Sequence, residues 1–171
     1  MRGWDREVDF ESIKKTLTDA YAAEKASSDR RARRRLAYIA ILLIQLRNGS
    51  RIGEAIEAAR KFKVERVREV RVRLEKQRRY EERLMILPET IAVEDLDLID
   101  FDGITKYAVN NFSVRRFGVN THSLRYAFVT YYGKKYSPQV IAKFTGHKNL
   151  NHLLTYTQRK QVEDVLRGLN F

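Results

Sequence analysis

Apolar positions recur every three to four residues along 9–26, where Phe10, Ile13, Leu17 and Tyr21 share one face and Lys14, Lys15 and Glu24 lie around the rest of the cylinder. This spacing predicts a surface helix with one buried stripe. Ser27, Ser28 and Asp29 offer N-cap side chains for a second helix, which opens on the basic run RRARRR and turns almost uniformly apolar over 36–46. A helix apolar all round belongs in the middle of a core. Asn48-Gly49 ends it in the manner of a left-handed C-cap, and SRIGEAIEAARKF follows at once as a third helix. Arg51 therefore falls at the junction between a buried helix and the next one, where a long charged side chain needs a partner or a function. Glu54, one turn on, is placed to orient it.

From Val64 the period changes to two. Val67, Val70, Val72 and Leu74 alternate with Arg66, Arg68, Arg71 and Arg73, with one slip near Glu69, which predicts a strand with one basic face. A second apolar run, LMILP, follows EKQRRYEER, so the pair reads as a β-hairpin whose tip carries Lys76, Arg78 and Arg79. That tip is either a solvated polar turn or a cationic finger able to enter a groove. The acidic segment IAVEDLDLIDFDG stands apart from its basic surroundings and is expected to face away from any polyanion. A short helix over 104–111, with Tyr107 and Val109 as its apolar residues, leads to a loop over 112–119 that contains Arg115 and Arg116. Asn120 or Thr121 then caps a helix bearing His122 and Arg125, packed through Leu124, Ala127, Phe128 and Tyr131. Ser137-Pro138 opens a further helix that buries Val140, Ile141 and Phe144, Gly146 stops it, and His147 stands in the turn. Leu150, Leu153 and Leu154 anchor the piece holding Tyr156, and 160–171 form a terminal amphipathic helix that docks elsewhere. These elements predict an α+β fold, mainly α with a small antiparallel β-hairpin. With no repeat or linker in view, they predict one domain over 1–171, of which 1–8 are a tail.

Composition narrows the partner. Apolar residues make up 43% of the 171, enough for a real core, and the net charge is +12. Of 34 basic residues 22 are Arg, the side chain that grips phosphate with two parallel hydrogen bonds. Nucleic acid is the leading partner class. The run RRARRR is then either a solvated helix end or part of a DNA-facing patch. The absence of cysteine excludes disulfides, thiolate zinc sites and a thiol nucleophile, so chemistry must come from hydroxyls, imidazoles, amines or carboxylates. No stretch reaches the roughly 20 apolar residues of a membrane span, and a cytoplasmic protein is expected.

All three histidines lie within 121–156. His122 and Arg125, three residues apart, project from one turn of one helix. Together with His147 and Tyr156 they offer two imidazoles, a guanidinium and a phenol, a set suited to a phosphodiester. Taken in order, Arg51, Lys76, His122, Arg125, His147 and Tyr156 resemble the catalytic set of the tyrosine recombinases, the phage-type integrase family. The matching residues are RNGSRIGEA with Arg51 and Glu54, Lys76 on a hairpin, THSLR, and TGHKNLNHLLTY. The resemblance covers nearly the whole chain, and the composition suits an archaeal viral or plasmid member.

This resemblance implies the catalytic-domain fold of that family, double-stranded DNA as substrate, and no metal or other cofactor. It also implies a homo-oligomer, a tetramer on synapsed DNA joined through the C-terminal helix, with a monomer in the absence of DNA as the alternative. The family's separate N-terminal core-binding domain finds no counterpart, and the link from the hairpin to His122 is short. Arg51 and Arg125 would clamp the phosphate, with Glu54 in support, and Tyr156 would attack it to leave a 3′-phosphotyrosyl link. Lys76 would protonate the departing 5′ oxygen, His122 would take the tyrosine proton, and His147 would hydrogen-bond the phosphate. Arg78, Arg79, Arg115, Arg116 and Lys148 are expected to contact the DNA backbone. Tyr131, Tyr132 and Tyr136 read as packing residues and His152 as a surface one. Two other functions share these residues: a type IB topoisomerase, which resembles the pattern with Lys in place of His122, and a non-catalytic DNA-binding module.

Overall fold

A computed structural model describes residues 8–147 and 166–168. Helix α1 (Phe10–Ala26) begins where Asp9 accepts the backbone N–H of Ser12 at 2.8 Å, and it buries Phe10, Ile13, Leu17 and Tyr21 as their spacing predicts. Helix α2 (Ala32–Asn48) is the centre of the molecule. Between Leu36 and Leu46 only Tyr38 is not fully buried, because α1, three later helices and the hairpin pack around α2. Each Leu or Ile so enclosed contributes about 1.5–3 kcal/mol. The N-cap of α2 is Arg31 and makes no side-chain cap; Asp29, expected to cap, instead accepts the Arg31 N–H at 3.0 Å within the preceding turn. Gly49 ends α2 in the left-handed region at φ 56°, as Asn48-Gly49 predicts.

Helix α3 (Ile52–Glu65) runs further than its sequence suggests. Val64, read as the start of a strand, lies in its last turn with 82% of its surface exposed, and Arg66 caps the helix in the left-handed region. Val67 lies outside the strand too, since β1 spans Glu69–Arg73. It pairs antiparallel with β2 (Glu82–Ile86), Val70 facing Met85 and Val72 facing Arg83. The expected hairpin is present, but its inward face carries Val70, Val72, Met85 and the guanidinium of Arg83, while Leu84 is turned outward.

The acidic segment forms a short 3-10 helix, Val93–Leu98, and does not stand apart from the basic chain. Asp95 accepts from Tyr21 at 3.1 Å and pairs with Lys25 at 2.7 Å, while Asp97 pairs with Arg66. Helix α4 (Lys106–Phe117) is also longer than predicted, so Arg115 and Arg116 occupy its last turn and not a loop. Cations there meet the negative end of the helix, and Gly118 supplies the left-handed cap that two arginines had obscured in the sequence. Tyr107 of this helix faces solvent. Helix α5 (Thr121–Tyr132) is capped by Asn120 and packs through Leu124, Ala127 and Phe128. Tyr131 stacks on Phe10 at 4.4 Å between ring centres. Helix α6 (Pro138–Thr145) has the expected Ser137 cap and Pro138 start, but it buries Ile141, Ala142 and Thr145. Val140 and Phe144, expected in the core, are largely exposed, because so short a helix turns only one face to the rest of the protein. No helix among the described residues is long and apolar enough to cross a membrane.

Candidate functional site

The carboxyl end of α2 is a polar hub. An α-helix leaves its last carbonyls without intrahelical partners and carries partial negative charge there. Here those carbonyls receive guanidiniums. Arg83 on β2 donates Nη2 to the Asn48 carbonyl, and Arg125 on α5 donates Nη1 to the Gly49 carbonyl at 3.3 Å. Asn48 locks β2 in place as well, since its Oδ1 accepts the Ile86 N–H at 2.8 Å and its Nδ2 donates to the Ile86 carbonyl at 2.9 Å. Gln45 donates to the carbonyls of Ser50 and Thr121, at 3.2 and 2.8 Å, and so ties the start of α5 to the same hub. Gly49 permits this junction twice over. Its φ is left-handed, and a Cβ there would fall 2.2 Å from the Phe128 ring.

Glu54 is the anion of the hub and is wholly buried. Its Oε2 accepts the Arg51 N–H at 3.1 Å, and its Oε1 accepts the Glu75 N–H at 3.2 Å. Two guanidiniums flank it, Arg51 Nη1 at 3.5 Å from Oε1 and Arg83 Nη1 at 3.5 Å from Oε2. Arg51 also donates to the Glu75 carbonyl at 3.3 Å. The sequence expectation that Glu54 orients Arg51 thus has its geometry. Arg83 carries no comparable signal in the sequence, because an Arg in a half-apolar strand reads as an outward residue.

Arg125 is only 3% exposed. Burial, with the Arg51 charge beside it, pushes its guanidinium down to about 10. Burial likewise lowers Arg83, against the pull of Glu54. Three guanidiniums around one carboxylate leave a net positive cluster that an added anion relieves. His147, in the turn after α6, lies against Arg125 Nη2, with ring nitrogens at 3.1 and 3.2 Å, and Thr145 Oγ1 hydrogen-bonds its Nδ1. His147 is thus held against Arg125 and oriented by Thr145.

Lys76 is exposed in the hairpin connection with a left-handed φ of 60°. Its two neighbours are anchored. Glu75 is bound by Arg51, Glu54 and Lys106, the last at 2.7 Å, and Gln77 donates to the Gly146 carbonyl at 3.4 Å. The backbone of Lys76 is therefore held between the Arg51 junction and the His147 turn. The structure brings together Arg51, Glu54, Arg125 and His147 and suspends Lys76 beside them. His122 is exposed on the first turn of α5, its ring edge-on to Tyr126 at 4.5 Å, so it and Arg125 share a helix but not an environment. Arg78 and Arg79 are exposed at the hairpin tip, and Arg115 is exposed on α4. Arg116 pairs with Glu24 at 3.2 Å, and Arg35 from the basic run joins the same carboxylate at 2.9 Å, so both serve intramolecular contacts. Tyr156, Lys148 and His152 lie outside the described residues, as does most of the expected C-terminal helix. A cleft of about 810 Å³ opens next to this cluster, lined among others by Arg83, His147, Leu74, Phe128, Tyr132 and Phe144.

The chain is similar to proteins of two viruses and an archaeon. The chain is 41% identical over 170 residues to "Putative integrase ORF241" of Acidianus two-tailed virus, covering 97% of this chain and 68% of that one. It is 33% identical over 205 residues to "Putative integrase V10" of Sputnik virophage, covering 96% and 89%. "Uncharacterized protein MJ0770" of Methanocaldococcus jannaschii is 33% identical over 200 residues, covering 97% and 88%. No family model matches the chain, and no solved structure does. The chain belongs to the integrase family of these viral proteins.

Proposed function

We propose that this protein is a site-specific DNA integrase that cuts and rejoins strands by the tyrosine recombinase route. The observation that carries this reading is the pair Arg51 and Arg125, fixed by Glu54 and by the Gly49 carbonyl at one helix end. Phosphoryl transfer is mostly positioning and charge stabilisation, so two preset guanidiniums supply the largest part of the catalyst. His147, held against Arg125, adds a hydrogen-bonding group to the same phosphate. Lys76 is the acid for the leaving 5′ oxygen, reached from the hairpin. His122, exposed on the first turn of α5, takes the proton from the Tyr156 phenol as it attacks phosphorus. The P–O bond to the 5′ oxygen then breaks and a 3′-phosphotyrosyl ester forms. Reversal by a new 5′ hydroxyl restores the tyrosine and joins the strands. Double-stranded DNA is the partner, with Arg78, Arg79, Arg115 and Lys148 on its backbone and several copies of the chain on one synapse.

A pool of nicked duplexes with randomised sequence, in which the strand beyond the cut diffuses away, tests this. A covalent protein–DNA band on a denaturing gel is expected for the natural chain and none for Tyr156→Phe. An adduct that survives Tyr156→Phe refutes the nucleophile. Relaxation of supercoiled plasmid with no strand exchange would instead identify a topoisomerase.

A further inference from the structure

The Arg83 side chain has no part in the mechanism above, yet it is 7% exposed, charged, and set among two other guanidiniums. Burying an ion is tolerated only when its partners replace water. Arg83 has the Asn48 carbonyl and one oxygen of Glu54, while its Nε is buried with no hydrogen-bond partner among the described residues. An apolar residue would suit the inward face of β2, beside Val72 and Met85, at lower cost. The cation therefore needs a reason of another kind.

That reason lies in how Glu54 is divided. Its Oε2 is shared by the Arg51 N–H and Arg83, and its Oε1 by the Glu75 N–H and the Arg51 side chain. We propose that Arg83 is a positioning residue of the anion clamp: by taking half of the Glu54 charge from the buried side, it keeps Arg51 from closing on Glu54 with both of its terminal nitrogens. Arg51, whose side chain keeps 24% of its surface, then keeps donors free for an incoming anion. Without Arg83, the wholly buried carboxylate has one mobile cation within reach, and Arg51 turns inward to it. Arg83 also couples the hairpin to the clamp, because its strand runs into the loop that carries Lys76. This inference rests on reading Arg51 and Arg125 as an anion clamp; it does not need the covalent chemistry.

Inorganic sulfate is the probe, titrated calorimetrically at constant ionic strength into the full chain, with adduct formation on the nicked duplexes measured in parallel. The natural chain binds sulfate. Arg83→Met weakens sulfate binding about tenfold or more, the scale of a lost charge-assisted hydrogen bond. Arg83→Lys keeps most of the affinity. Arg83→Met combined with Glu54→Gln binds sulfate more tightly than Arg83→Met alone, because the charge that captures Arg51 is gone. A purely structural Arg83 would give no such recovery. If Arg83→Met does not fold, the lysine variant and the double variant carry the test. Unchanged sulfate affinity in folded Arg83→Met, or a folded double variant as weak as Arg83→Met or, where that does not fold, tenfold weaker than the natural chain, overturns the proposal. If the natural chain binds sulfate and yields no adduct, the recombinase reading fails and the positioning role stands. If it binds no sulfate, the clamp is wrong and the positioning role falls with it.

Discussion

Arg51 and Arg125 carry the same group in unlike settings. Arg125 is closed in by α2 and His147 and is a fixed charge, whereas the Arg51 side chain keeps about a quarter of its surface and can adjust. On the proposed reading, a substrate phosphate meets one rigid and one adaptable cation. Away from the site, Asp95 shows how a carboxylate contributes to stability. Its burial opposes ionisation, but hydrogen bonds from Lys25, Tyr21 and the Ala92 N–H outweigh that and hold the carboxyl below its ordinary value. A depressed folded value means the unfolded chain binds the proton first as pH falls. The stabilisation is therefore full above about pH 5 and is lost as pH drops through the carboxylate range. Asp95→Asn should lower the denaturation midpoint at pH 7 and flatten its dependence on pH between about 5 and 3. An unchanged slope would show that Asp95 does not carry it. At this scale the sequence exposes Arg51, Glu54, Arg125 and His147, because a charge next to an apolar helix or after a helix-ending Gly is conspicuous. Arg83 is hidden, since its burial depends on a helix end 35 positions earlier in the chain.

Among the elements, the helix-to-helix junction at Gly49 bears the most constraint. Gly49→Ala would force a Cβ into the left-handed region and into Phe128. The expected loss is about 2–4 kcal/mol from backbone strain together with overpacking, read as a lower denaturant midpoint at unchanged slope. Gly103→Ala provides the contrast: its φ is also left-handed, at 68°, but no atom lies within 4 Å of the added carbon. It should cost only the backbone part, about 1–2 kcal/mol. The stripes of α1 and α5 are readable because each helix meets its neighbours along one side, and α2 is readable because it is apolar all round. The ends of α3 and α4 are not. Val64 and Val67 mimic a strand, and Arg115-Arg116 mimics a loop, until one sees that Arg66 and Gly118 supply the left-handed caps. Nor could the outward turn of Val140 and Phe144 be read from α6 alone, because the cleft beside it is made by the hairpin and α5.

For the molecule as a whole, the charge of +12 is unevenly spent. Arg35 and Arg116 converge on Glu24, and Arg66 and Lys25 on the acidic 3-10 helix, so much of the basic character is neutralised within the fold. The hairpin tip and the arginine cluster keep theirs. DNA affinity should fall on a log–log plot against salt with a slope near −0.9 per phosphate contacted. Converting Arg78 and Arg79 to alanine together should reduce that slope by about 2, whereas Arg35→Ala should leave it unchanged. Equal effects of the two changes would mean the internal pairs open on binding.

The gathering of so many bonds at the end of α2 also bears on how such a chain can change length. The relatives from the virophage and the archaeon align over 205 and 200 positions, against the 171 residues here, so they hold residues that this chain lacks. A site assembled at one helix end is indifferent to how long the connections between its contributors are, provided each returns to the same carbonyls. Lengthening a loop costs little, about 0.6 kcal/mol per doubling. The turn at Gly103 lies in open space, between the acidic 3-10 helix and α4. Six Gly-Ser residues inserted there should leave sulfate affinity within about twofold of the natural chain. Lineages can then lengthen or shorten such connections freely while the chemistry keeps its address.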